Sequence, residues 1–293
     1  MSRRETVRRR TSLWGGTLGV SGSGAKLKAT RTRLPLTLGY SAPVILNLVR
    51  QSVALVGLAP LARVVRRNLK ARGWVPWSSL VPERAFSECV RNVIYKLQES
   101  EPLDAFGDYL EFGVSRGTSM ACVDRVFREE GLPDVRLIGF DSFAGMPPES
   151  EHEGWAPGDF MSTLAATRRY LRRQGTDLER ITLVKGWFSE TLTAATRRRL
   201  NLQKVSLVLI DSDIYSASKE ALNFLEPHLA QQAVIMFDDW GWRSDVDEIG
   251  QQEAFNEFLT EHQGLTAEPL PGYIEQSRVF LVRREPAAAP STR

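Results

Sequence analysis

Two hydrophobic periods alternate along most of this chain. From residue 107 onward, short apolar runs at 109–113, 135–140, 181–184, 205–210, 233–237 and 278–282 read as buried strands. Between and after them, apolar residues recur at helical spacing near 118–130, 162–174, 189–200, 215–228 and 249–262. Upstream, residues 82–99 place Ala85, Phe86, Cys89, Val90, Val93, Ile94 and Leu97 on one helix face. Strand runs separated by helices predict an α/β fold: a Rossmann-like, mostly parallel seven-stranded sheet with helices on both faces. In such sheets ligands bind beyond the carboxyl ends of the strands, so the residues just after each strand carry the chemistry.

The first part of the chain is a different object. Residues 1–82 hold 15 Lys/Arg against one acid, a net +14, and the remainder holds 23 against 34, a net −11, which together give the overall +3. Residues 1–40 mix Arg clusters with Gly, Ser and Thr, too little apolar content to offset ordering entropy, and are expected to be a disordered basic arm. Residues 41–75 form an apolar then basic segment. Asn47, Arg50, Gln51 and Pro60 interrupt its hydrophobic run, which argues against a spanning helix. That segment is suited to an anionic membrane surface, to packing on the main domain, or to an oligomer contact. The expected catalytic domain covers 76–285, with a disordered tail at 286–293. Cys89 and Cys122 sit in apolar helical patterns, which fits a reducing, cytoplasmic setting with peripheral membrane contact as the alternative. Three histidines exclude a histidine-rich metal site.

The strand ends gather the candidates. After the first strand comes a glycine turn, Glu111-Phe-Gly113-Val-Ser115-Arg-Gly-Thr-Ser119, where backbone N–H groups and a helix start face a ligand. Asp141 follows the second strand at the spacing of an acid that accepts ribose hydroxyls. Gly186-Trp187-Phe188 follows the third and suits a flat adenine. Asp211 and Asp213 follow the fourth strand, Asp238 and Asp239 the fifth. Acids are common helix caps. If the fourth and fifth strands are neighbours, however, Asp211, Asp238 and Asp239 converge, and a hard cation relieves their repulsion.

Five stretches carry a resemblance: YLEFGVSRGTS, GFDSFAGMPP, KGWFSETL, IDSDIY and FDDW. Together, over residues 80–285, they resemble the macrocin O-methyltransferase type, metal-dependent class I enzymes that methylate sugar hydroxyls in antibiotic biosynthesis. The resemblance implies S-adenosyl-L-methionine (SAM) as methyl donor, Mg²⁺, a small glycosyl or hydroxylated acceptor, and a homo-oligomer. It implies that Glu111, Gly113, Ser115 and Ser119 hold the methionine part of SAM. Asp141 would bind the ribose, and Ser142 with Gly186 and Trp187 would border the adenine. Asp211, Asp238 and Asp239 match the metal ligands. For the general base it offers His152, in the loop after the second strand, and Asp211. Trp155 and Phe160 place that loop over the acceptor.

Two other readings compete. A nicotinamide oxidoreductase would use the same turn and acid, but Gly113-Val-Ser-Arg-Gly117 lacks the G-x-G-x-x-G spacing and the acid cluster would be idle. A non-catalytic module recruited to RNA or a membrane through residues 1–75 is the third.

Overall fold

The computed structural model describes residues 59–75, 81–240 and 250–285. The basic arm, most of the apolar segment and the tail after residue 285 lie outside them. Among the described residues, no helix is long and apolar enough to cross a membrane.

Among the described residues, seven strands form one sheet: β1 (Asp108–Phe112), β2 (Leu137–Asp141), β3 (Ile181–Lys185), β4 (Val205–Ile210), β5 (Leu229–Phe237), β6 (Leu265–Leu270) and β7 (Arg278–Arg284). Their order is β3-β2-β1-β4-β5-β7-β6. The first five are parallel, and β7 runs antiparallel to both β5 and β6. All side chains of β1 and β4 are buried, as expected for parallel strands covered on both faces. β6 was not legible as a strand. Thr266, Glu268 and Pro269 break its apolar run, and proline is tolerated there because the strand is an edge. β5 begins earlier than its apolar run, since Gln231 and Gln232 interrupt it.

The helices are α1 (Ala59–Ala71), α2 (Glu83–Gln98), α3 (Thr118–Glu129), α4 (Leu164–Arg173), α5 (Phe188–Thr191), α6 (Ala194–Arg199), α7 (Tyr215–Leu225) and α8 (Gln251–Glu261). The single helix expected over 189–200 is two short ones, and the chain turns at Leu192 and Thr193, whose side chain caps the second. α2 buries Phe86, Cys89, Val90, Val93, Ile94 and Leu97, as its pattern predicts, against the sheet face shared with α3. The opposite face packs against α7 and α8 through Leu222, Leu225, Phe255 and Phe258. Each fully buried Leu or Phe contributes about 1.5–3 kcal/mol. Cys89 and Cys122 are free and buried.

α1 belongs with this domain. Its last carbonyls, which have no partner within the helix, are used as acceptors. The Ala71 carbonyl takes the Thr163 N–H at 3.0 Å, Lys70 takes the Arg116 guanidinium, and Arg72, just beyond, takes Arg169 at 2.7 Å. Arg67 donates to the Pro157 carbonyl at 3.0 Å. All these partners lie at the β1 turn, on α4 or in the loop after β2.

Candidate active site

The strand order reverses at β1, between β2 on one side and β4 on the other, and a cleft opens at the carboxyl ends there. It holds about 620 Å³, and every strand from β1 to β5 contributes a residue that follows it in sequence or closes it.

Gly113 ends β1 at φ +97°, and a Cβ there would lie 1.7 Å from the Asp211 carbonyl oxygen. Only glycine lets the two strand ends approach this closely. Ser115 follows at φ 42°, and Gly117 at φ 85° starts α3. Asp141 closes β2. Its carboxylate accepts the Ser115 N–H at 2.7 Å and the Phe143 N–H, tying the β1 turn to the β2 loop. Burial raises its pKa and those backbone donors oppose the rise. Ser142, Trp187 and Phe188 line the same end of the cleft. Gly186, at φ 145°, makes the turn that presents Trp187.

Glu111 and Ser119 lie beneath this floor rather than in it. Glu111 is fully buried and accepts the Tyr109 hydroxyl at 2.6 Å and the Ser119 hydroxyl at 2.7 Å. Burial pushes its carboxyl up to about 7, against the two hydroxyl donors. The unfolded chain releases this proton near pH 4.3, the folded protein only near 7. Glu111 therefore costs stability increasingly as pH rises through that window, and costs nothing below it. Glu111→Gln is expected to flatten the fall in stability between pH 5 and pH 8, gaining up to about 3 kcal/mol at pH 8 in urea titration. An unchanged slope would refute this reading.

Beside the glycine turn the cleft is acidic. Among the described residues, Asp211, Asp213 and Asp239 bring carboxylate oxygens within 4.8 Å of one another. Burial raises the Asp211 pKa far above the usual carboxylate range, and Asp238, Asp239 and Asp213 add to the rise. Burial likewise raises Asp239, with Asp213 and Asp238 contributing. One oxygen of Asp239 is buried without a hydrogen-bond partner. Clustered buried carboxylates with an orphaned oxygen fit a hard divalent cation held by oxygen ligands. Asp238 stands beside the group but is engaged by the Tyr273 hydroxyl from the β6–β7 loop. The sequence-derived ligand set and this geometric group thus share Asp211 and Asp239 and differ in the third member. Asp213 reaches its place through a left-handed backbone, φ 62°. Its pKa is raised to about 7, first by burial and then by Asp238.

Sequence reasoning missed two supports of the acidic group. Gln251, at the start of α8, is 1% exposed; its amide donates to the Ile210 carbonyl and accepts the Asp239 N–H. Tyr273 holds Asp238 as described. Neither sits at a parallel-strand end: Gln251 opens α8 and Tyr273 lies between β6 and β7.

The loop after β2 folds over the cleft. Met146 ties its two arms together, its N–H donating to the Asp159 carbonyl and its carbonyl accepting the Gly158 N–H. Trp155 and Phe160 line the cleft, ring centroids 5.0 Å apart. His152 does not join them. It is exposed on the 3-10 turn Pro148–Glu153, outside the cleft lining. Its neighbour Glu153 instead accepts the Tyr215 N–H at 3.1 Å and caps α7. Of the two bases read from sequence, Asp211 alone lines the cleft. Among the described residues, three of the five non-glycine ones with positive φ (Ser115, Phe160 and Asp213) line it as well, a gathering of backbone strain common at ligand sites.

Known proteins match this arrangement. The macrocin-O-methyltransferase (TylF) family model matches residues 84–271. Among curated relatives, a tetracenomycin-C 4'-O-methyltransferase of Streptomyces olivaceus is 29% identical over 147 residues, 46% of this chain and 53% of that protein. The demethyldecarbamoylnovobiocin O-methyltransferase of Streptomyces niveus is 28% identical over 144 residues, again 46% and 53%. The chain thus spans about half the length of the curated relatives it matches. The solved O-methyltransferase NovP superposes with a TM-score of 0.56 at 19% identity, covering 74% of this chain and 88% of that one. The calicheamicin methyltransferase CalS11 gives 0.53 at 20% identity, covering 87% and 99%. The fold is therefore that of class I methyltransferases, and the chain belongs to the macrocin-O-methyltransferase (TylF) family.

Proposed function

We infer that this protein is a SAM-dependent O-methyltransferase that modifies a hydroxyl of a glycosylated small molecule. The observation carrying this reading is that the glycine turn, Asp141 and a carboxylate cluster line one cleft. Family membership and relatives named as a rhamnosyl-tetracenomycin-C 4'-O-methyltransferase and a demethyldecarbamoylnovobiocin O-methyltransferase support it.

Gly113, with no side chain, permits close approach of the donor's amino-acid end and Ser115 borders it, with Glu111 and Ser119 stiffening the turn from below. Asp141 accepts the ribose hydroxyls, and Ser142, Gly186 and Trp187 border the adenine. SAM, when bound, supplies an electrophilic methyl group. Asp211 and Asp239, with Asp213 or Asp238 as third carboxylate, would hold a divalent cation, which lowers the pKa of an acceptor hydroxyl and offsets their repulsion. Asp211 takes the hydroxyl proton as the carbon–sulfur bond breaks and the carbon–oxygen bond forms. Trp155 and Phe160 cover the acceptor and exclude water, so much of the rate comes from orientation.

The test is calorimetric titration of SAM into the full chain with Mg²⁺ present and NAD as control. Micromolar SAM binding is expected, with none for NAD. Asp141→Ala and Trp187→Ala should each weaken SAM binding at least about tenfold in proteins whose circular dichroism is unchanged. NAD binding in place of SAM would sink the reading and favour the oxidoreductase.

A further inference from the structure

The basic character of the chain's first part continues into the fold. Neither 59–75 nor 163–175 contains an acid, and the two stretches touch. Arg169, on α4, donates to the Arg72 carbonyl at 2.7 Å, and Thr163, which caps α4, donates its N–H to the Ala71 carbonyl at 3.0 Å. Arg66, Arg67, Lys70 and Arg72 are exposed along α1 and just past its end. Arg168, Arg169, Arg172 and Arg173 share the exposed face of α4, whose other face buries Ala166, Thr167 and Leu171. Eight cations thus border one seam. Of these, Arg66, Arg168, Arg172 and Arg173 have neither a hydrogen bond nor an ion pair among the described residues.

Apolar side chains stand in the same stretch without cover. Leu61, Val64 and Val65 recur at i, i+3 and i+4 on one face of α1 and are 60%, 46% and 49% exposed. Trp74, just beyond the helix, is 68% exposed, with the Arg72 guanidinium 5.8 Å from its ring centroid. These are too close together to count as the scattered single residues that every surface carries. Charge decides among the occupants that would cover them. The chain's own residues 1–58 carry ten Lys/Arg against Glu5, so they would bring like charge to the seam. A second copy packed face to face would set the same eight cations against themselves. Nucleic acid would satisfy the cations and leave the aliphatic side chains idle. An anionic bilayer takes both, since its headgroups pair with the cations and its interface accepts Leu, Val and Trp side chains.

We propose that the seam of α1 and α4, with Trp74, docks this protein on the surface of an anionic lipid bilayer. Leu61, Val64 and Val65 enter the headgroup boundary, and the α4 arginines meet lipid phosphates beside them. Each cation brought to such a surface multiplies the partition constant by roughly fivefold, and each buried apolar side chain adds to it. The contact stands next to the cleft, because Arg67 of the same helix holds the loop bearing Trp155 and Phe160 through the Pro157 carbonyl at 3.0 Å. Docking is a property of this surface and does not depend on the reaction that the cleft performs.

The test is flotation of the full chain with vesicles of phosphatidylcholine alone or with about 30% phosphatidylglycerol added. At low salt the anionic vesicles should bind at least about tenfold more tightly, and about 0.5 M NaCl should remove most of that difference. Arg168→Gln/Arg172→Gln/Arg173→Gln should weaken binding to anionic vesicles at least about tenfold, and Leu61→Gln/Val65→Gln at least about fivefold. All five side chains are exposed, so both variants are expected to keep the wild-type circular dichroism. Both leave residues 1–58 intact, which separates this surface from the basic arm. The proposal is overturned if the wild type ignores anionic vesicles or binds both compositions equally. It is overturned as well if either variant binds anionic vesicles as tightly as the wild type. An unaffected pair of variants assigns the binding to residues 1–58. Loss in the α4 variant alone, with a fluorescent oligouridylate bound by the wild type, assigns the surface to nucleic acid.

Discussion

Asp211→Asn is expected to abolish methyl transfer and at the same time to make the divalent-free protein more stable. The two effects have one cause. Asp211 is ringed by Asp238, Asp239 and Asp213, so its charge is unfavourable unless a cation neutralises the group. An amide of nearly the same shape removes the repulsion but also a ligand and the proton acceptor. A loss of at least about a thousandfold in turnover follows, since metal and proton-acceptor contributions are each worth several kcal/mol. In EDTA at pH 8 the variant should gain about 1–3 kcal/mol over wild type. Mg²⁺ should raise the wild-type melting temperature and leave the variant's unmoved. Wild-type stability and activity indifferent to both EDTA and Mg²⁺ would sink the metal reading. The identity of the third carboxylate is read by the same assay: of Asp213→Asn and Asp238→Asn, the ligand's replacement is the one that removes the Mg²⁺ response.

Gly113→Ala is expected to cost about 4 kcal/mol or more, enough to leave most small domains largely unfolded. The new methyl carbon would sit 1.7 Å from the Asp211 carbonyl oxygen, an atom fixed by the β1–β4 ladder, where the Asp211 N–H bonds the Phe112 carbonyl at 2.8 Å. The positive φ adds strain. Relief requires β4 to move, and with it Asp211. Gly175→Ala is the matched control: it too has positive φ, 72°, but nothing lies within 4 Å of its added carbon. Chemical denaturation of both separates crowding from backbone preference, and equal losses would refute the close-approach argument.

The parallel half of the sheet was legible because its strands are covered on both faces and read as unbroken apolar runs. The antiparallel edge was not, because an edge strand such as β6 carries Thr266, Glu268 and Pro269 without penalty. The site was legible where it follows from strand ends alone: Gly113, Asp141, Trp187 and the four aspartates all reach the cleft. Depth was not legible. Glu111 and Ser119 share the glycine-turn segment with Gly113 and Ser115 yet sit under the floor, Glu111 within β1 and Ser119 on α3, where their side chains bond each other and Glu111 also bonds Tyr109. Nor does linear spacing say which neighbour a loop residue turns toward, and so His152 faces solvent while Glu153 caps α7.

α1 lies outside the stretch that this chain shares with its family, which begins at residue 84. Yet the loop bearing Trp155 and Phe160 hangs from it, through Arg67 on Pro157 and Ala71 on Thr163. The same helix also holds Arg116 of the glycine turn through the Lys70 carbonyl, so residues 59–75 brace the turn and the loop together, and loosening this one short helix is expected to disturb both at once.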